Sequence, residues 1–127
     1  MLQNVLCISV GASLGAVLRW LLGLAFNGIV PLVPLGTLLA NLSGGYCIGI
    51  MLGVMAFFPQ FPDAARLFII TGFLGALTTF SPFSAEVVVL IQQRHLFAAL
   101  CVVGLHVLGS LAMTGFGIAT TYLFLRS

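Results

Sequence analysis

The chain consists of long apolar runs with almost no charge between them. Of its 127 residues, 61% are hydrophobic, and only four arginines and two acidic residues carry a formal charge. So few charged side chains cannot cover the surface of a water-soluble domain, which indicates an integral membrane protein. A helix needs roughly 20 apolar residues to cross a bilayer, so four spans would occupy nearly the whole chain. No room remains for a soluble catalytic domain.

Helix-breaking residues divide the chain into one four-helix transmembrane domain, residues 1–127. The predicted spans are about 3–26, 35–57, 67–91 and 96–125, separated by Asn-Gly, proline-containing and polar turns. The connection before the third span contains Asp63 and Arg66 and is expected to be a polar loop. Glycines recur every fourth residue in the first two spans, and small residues at that spacing let membrane helices approach closely.

The arginines give no orientation signal. With four antiparallel spans, Arg66 and Arg126 fall on one side of the membrane, and Arg19 and Arg94 fall on the other. Because lysine and arginine normally favour the cytoplasmic side, a balanced chain is expected to insert both ways up and form a dual-topology antiparallel homodimer. The alternative is one orientation fixed by lipid or by an insertion partner. Four scattered arginines without a lysine also argue against nucleic-acid binding.

The third span is unusually polar for a membrane helix. It contains Thr78, Thr79, Ser81, Pro82 and Glu86. Proline removes a backbone donor and clashes with the preceding turn, so we expect this helix to be broken near mid-membrane. Irregular backbone is tolerated at that depth only where it is buried in protein or lines an aqueous cavity. The break therefore predicts an ion site.

Polar residues also occur in the second and fourth spans. Asn41 lies on the same helical face as Thr37, and it either forms an interhelical hydrogen bond or lines a pore. His106, Ser110 and Thr114 form a stripe at four-residue spacing. The stripe is either a contact surface for water or an ion, or a set of side chains bonded to the carbonyls one turn back.

Two ionisable residues in the spans have open roles. Arg19 either extends its side chain to the membrane interface or attracts anions toward a pore mouth. Glu86 could pair with an arginine, accept hydrogen bonds or transfer protons. We find no catalytic constellation in the sequence, and we expect no enzyme activity.

Three stretches together resemble a known family. They are G11-A-S-L-G-A-V-L-R19, G36-T-L-L-A-N-L-S-G44 and G72-F-L-G-A-L-T-T-F-S-P-F83. They are similar to the signature stretches of the small bacterial fluoride channels, the Fluc or CrcB family, and the similarity covers all four spans.

The resemblance implies an antiparallel homodimer with two fluoride pores and a structural Na⁺ at its centre. The Na⁺ would be held by the backbone carbonyls of Gly75 and Thr78. Such channels export fluoride passively across the bacterial inner membrane and so protect against its toxicity. The residues assigned to the pore are Thr37, Asn41, Phe80, Ser81, Phe83, His106, Ser110 and Thr114. Of these, Phe80 and Phe83 are expected to present their ring edges to the ion, while Asn41 and Ser110 donate hydrogen bonds to it.

One residue departs from the family pattern, which usually has threonine where this chain has Pro82. The missing hydroxyl bears on conduction more than on the fold. Two other classes of protein remain possible. A small dual-topology, proton-coupled multidrug exporter is of similar size but should carry a carboxylate in span one, whose only charge is Arg19. A non-transporting assembly subunit would need no polar stripe.

Overall fold

The computed structural model describes residues 1–126, and every regular element in that part of the chain is helical. Four stretches are long and apolar enough to cross a membrane, which confirms the predicted class. Three of them are single helices: α1 (Leu2–Phe26), α2 (Leu35–Phe57) and α6 (Leu96–Arg126). The other is composite: α3 (Asp63–Arg66), a π-helical segment (Leu67–Leu74), α4 (Gly75–Leu77) and α5 (Ser81–Gln92).

The prediction of a polar loop before the third span was wrong for the last four of its residues. Asp63 to Arg66 form a helical turn that runs directly into the π-helical segment. Pro62 precedes this turn in an extended conformation, and the carboxylate of Asp63 in the first turn suits the positive end of a helix. The Asp63–Arg66 ion pair, 3.2 Å long, is solvent-exposed and therefore stabilises little.

Helices α2 and α6 pack through glycines. Gly45, Gly49, Gly53 and Gly117, here called the glycine seam, lie against the facing helix with little or no space for a Cβ atom. A Cβ atom on Gly117 would meet Tyr46 O and would lie 2.8 Å from the backbone nitrogen of Ile50. The backbones of the two helices are therefore in direct contact, as expected for small residues in a membrane.

Helix α1 packs in the same way against the composite third stretch. A Cβ atom on Gly11 would meet Phe68 O, and one on Gly15 would meet Phe73 O. The approach is mutual, because a Cβ atom on Gly72 would lie 2.7 Å from Ile8 O. This contact fixes the position of the segment that leads into the functional region.

Candidate functional site

The composite third stretch is not helical at residues 78–80, which we call the interruption. Helix α4 ends at Leu77, and Thr78 has the extended dihedrals φ −76° and ψ 155°. The Thr78 hydroxyl donates to Leu74 O at 2.8 Å, which closes the end of α4. Pro82 lies in the first turn of α5, where the N–H that proline lacks would have no helical partner in any case.

Asn41 of α2 pairs with the interruption. Its Oδ1 accepts the Thr79 N–H at 2.7 Å, and its Nδ2 donates to Thr79 O at 3.0 Å. The same Nδ2 lies 2.8 Å from His106 Nδ1 on α6. Both side chains are nearly fully buried, with exposed fractions of 9% and 4%. The interhelical hydrogen bond anticipated for Asn41 is therefore present, and it joins three elements.

The interruption deprives two carbonyls of their helical partners. In a continuous helix Gly75 O would accept the N–H of Thr79, but that N–H is bound to Asn41. Thr78 O would accept the N–H of residue 82, which is proline and has none. Within residues 1–126, no group of three or more His, Cys, Asp or Glu side chains could hold a metal. The carbonyl oxygens of Gly75 and Thr78 are therefore candidate ligands for a cation.

Arg19 lies beside the end of α4. Its Nε donates to Ala76 O at 3.1 Å, so the partly buried side chain is turned toward the protein. A cation at the carboxyl end of a helix is favourable because the unpaired carbonyls there carry partial negative charge. Arg19 thus supplies a donor to a third carbonyl next to the interruption.

A cavity of about 530 Å³ opens beside these groups. Phe83 is buried, and its ring stacks on His106 with centroids 4.5 Å apart. Phe80 is 75% exposed in the single chain and meets Phe83 edge to face at 5.6 Å. The lining residues are Asn41, Gly75, Thr78, Thr79, Phe80, Phe83, His106, Val107, Ser110, Leu111 and Thr114.

The stripe on α6 follows this cavity. Thr114 donates to Gly45 O of α2 at 2.9 Å, rather than to the carbonyl one turn back on its own helix. The Nε2 atom of His106 is buried and has no hydrogen-bond partner among the described residues. Ser110 also lines a second cavity, of about 270 Å³, that includes Gly75 and Thr78.

Five of the singled-out residues lie outside the lining of both cavities: Arg19, Thr37, Ser81, Pro82 and Glu86. Thr37 donates to Glu86 Oε2 at 2.8 Å, which gives Glu86 the partner that the sequence did not identify. The other oxygen, Oε1, is buried without a partner in the described part of the chain. Ser81 begins α5 and is exposed.

Sequence reasoning missed Thr79 as a member of the site. It contributes through its backbone, and a backbone role leaves no signal in residue type. The bond from Arg19 to Ala76 O was missed for the same reason. The one signal in the sequence was indirect: the helix break predicted at Pro82 implied that backbone groups near it would lack helical partners.

Comparison with known proteins gives consistent results. The sequence profile of the family described as "CrcB-like protein, Camphor Resistance (CrcB)" matches residues 6–118. A protein of Tolumonas auensis named "Fluoride-specific ion channel FluC" is 58% identical over 127 residues, all of both chains. Proteins of the same name from Pseudomonas syringae and Pseudomonas putida are 54% and 53% identical, over 93% and 96% of both chains.

Proposed function

The chain belongs to the CrcB-like family, and from this premise we propose that it is a fluoride-selective ion channel. The observation that carries the proposal is the cavity beside the interruption, where the rings of Phe80 and Phe83 lie near the polar stripe of α6. The relatives described above bear the name of a fluoride-specific channel and match 93% to 100% of this chain. Nothing found in the sequence or the fold favours a multidrug exporter.

The cavity chemistry suits a small anion. An aromatic ring has a negative face and a positive edge. One face of Phe83 is covered by the His106 ring, and the rings of Phe80 and Phe83 meet edge to face beside the cavity. Ring edges and fixed hydrogen-bond donors together can replace the water around fluoride, and close spacing between them disfavours the larger chloride.

A structural Na⁺ at Gly75 and Thr78 is part of the proposal. The residues fit such an ion, because the carbonyls of both have lost the donors of a continuous helix and both residues line the same cavities. Neutral carbonyl oxygens suit a dehydrated monovalent cation. The ion would supply a fixed positive charge that favours anions nearby.

The functional unit in this proposal is an antiparallel homodimer of dual topology, with the interruption near the middle of the membrane. The balance of two arginines against two supports it. So do the large apolar side chains of α1 and α6 that remain exposed in a single chain, Trp20 and Leu111 among them, since such surfaces need lipid or protein cover.

Orientation labelling tests the dimer. Two lysines added to one end of the bundle should produce a single inserted orientation that does not form the dimer alone. The same number divided between the two ends is the matched control and should leave both orientations. If all wild-type chains label from one side, the antiparallel arrangement is wrong.

The protein is a multi-pass membrane protein by its four membrane-length helices, and we place it in the bacterial inner membrane. In an acidic medium, HF enters the cell as a neutral weak acid and dissociates in the less acidic interior. The trapped fluoride then leaves through the channel, driven by its own gradient and the membrane potential.

Reconstitution into liposomes loaded with fluoride tests the channel directly. A fluoride electrode should record rapid efflux that depends on the protein and on a counter-ion pathway. Chloride-loaded liposomes should retain chloride, and protein-free liposomes should retain both ions. Efflux of chloride at a similar rate, or no efflux of fluoride, would overturn the proposal.

A further inference from the structure

Asn41 has no unused hydrogen-bond donor in this fold. A carboxamide nitrogen carries two hydrogens, and Nδ2 makes two contacts, with Thr79 O at 3.0 Å and with His106 Nδ1 at 2.8 Å. These two contacts use both hydrogens. A passing anion would therefore find no free donor on Asn41, which differs from the direct contact that the family resemblance suggests.

The contacts also determine which way the carboxamide points. The N–H of Thr79 can only donate, so the atom 2.7 Å from it must be the oxygen of Asn41. The nitrogen must then face Thr79 O and His106. The Thr79 backbone therefore permits only one of the two orientations of the amide.

The orientation of Asn41 in turn determines the tautomer of His106. Because Nδ2 can only donate, Nδ1 of His106 must accept, and the ring proton of the neutral imidazole must lie on Nε2. Stacking on Phe83 holds the plane of the ring. Nε2 is buried without a partner among the described residues, although the ring lines the cavity.

We propose that Asn41 is a positioning residue that holds His106 in the Nε2–H tautomer, and that this N–H donates to the permeating anion. A buried N–H without an acceptor is costly, and fluoride is a strong acceptor. The identity of the anion rests on the proposed function. The tautomer depends only on the contacts among Thr79, Asn41 and His106.

Nitrogen-15 NMR of the full-length protein, labelled at histidine, reads the tautomer directly. His106 should show one tautomer, protonated at Nε2, while His95, which is exposed, serves as an internal reference. Asn41→Asp keeps an oxygen for the Thr79 N–H but turns an oxygen, not an NH₂ group, toward Nδ1. The proton of His106 should therefore move to Nδ1.

The chain offers a matched control for that substitution. Asn27 also accepts a backbone N–H through its Oδ1, from Thr37 at 3.2 Å. Asn27→Asp makes the same change of charge and should leave the His106 tautomer unchanged. The positioning role is overturned if wild-type His106 carries its proton on Nδ1, or if Asn41→Asp leaves it on Nε2.

Two substitutions at position 106 test the donor by fluoride efflux. His106→Gln places an amide nitrogen near the position of Nε2, whereas His106→Asn places it near Nδ1. Fluoride efflux through His106→Gln should exceed efflux through His106→Asn by roughly tenfold or more, the scale of one hydrogen bond to a charged group. Both variants should elute as wild type on size exclusion, and equal flux would overturn the donor role.

The spectroscopic and flux measurements test the positioning role and the proposed function separately. Fluoride, but not chloride, should shift the Nε2 resonance of His106 in the wild type. If the tautomers behave as expected and no fluoride moves, the proposed function is wrong and the positioning role stands. If fluoride moves and the tautomers do not follow Asn41, the positioning role is wrong and the channel stands.

Discussion

The glycine seam and the interruption join the helices by opposite means. In the seam, α2 and α6 touch because Gly49 and Gly117 carry no side chains, and each helix keeps its own hydrogen bonds. At the interruption the helical hydrogen bonds are lost, and the side chains of Asn41 and Arg19 supply replacements from distant parts of the chain. The seam therefore contributes stability, whereas the interruption exposes polar groups that can act on an ion.

The largest expected effect is on the stability of the seam. Gly117→Ala should lower the free energy of unfolding by about 3 kcal/mol, because its Cβ meets the backbone of Tyr46 and overpacking cannot be relieved there. Gly115→Ala, two residues away on the same helix, is the matched control, since its Cβ meets nothing within 4 Å. It should be neutral or stabilising by up to about 1 kcal/mol.

Reversible unfolding in mixed micelles would measure both variants. Comparable losses for Gly115→Ala and Gly117→Ala would mean that the glycines act through helix propensity, and the contrast between seam and interruption would lose its basis.

The next effect is on conduction, with stability nearly unchanged. Phe83→Ile and Phe80→Ile keep apolar bulk but remove the ring edges, and each should reduce fluoride efflux by at least about tenfold. The loss should be larger for Phe83, because its ring also supports His106. Both variants should elute as the wild type does on size exclusion. Normal fluoride efflux would mean that the two rings only pack against their neighbours.

Removal of Na⁺ should have a smaller effect, confined to the interruption. Replacement of Na⁺ by a bulky organic cation should lower fluoride efflux or dimer stability, because the carbonyls of Gly75 and Thr78 would no longer hold the proposed ion. Helical circular dichroism should not change, because the seam needs no ion. Complete indifference of both flux and dimerisation to Na⁺ argues against the site.

The smallest expected effect is at Pro82. Pro82→Thr restores the hydroxyl usual in the family and should raise fluoride efflux. The free energy of unfolding should stay within about 0.5 kcal/mol, because the residue lies in the first turn of α5, where a missing N–H costs little. Unchanged efflux would indicate that position 82 makes no contact important for permeation.

The sequence predicted those features that residue types determine locally. Four apolar stretches indicated four helices, and glycine spacing indicated close packing. The four-residue spacing of His106, Ser110 and Thr114 placed them on one face, and all three line the cavity. Asn41 was singled out because an amide is costly in a membrane span.

Features that depend on distant contacts were not predictable. Asn41 and Thr79 are 38 residues apart, and nothing in the sequence pairs a side chain on α2 with that backbone. The π-helical segment reads as an ordinary apolar helix, because its residues favour no particular helical hydrogen-bond pattern.

The length of α6 has a consequence for the bilayer. Its 31 residues extend about 46 Å, whereas the hydrocarbon layer is about 30 Å thick. Phe97 and Phe124, both largely exposed, lie about 40 Å apart along the helix, close to the thickness of a bilayer with its headgroup regions. A thinner bilayer should increase the tilt of this helix, and with it the angle at which its polar stripe crosses the membrane.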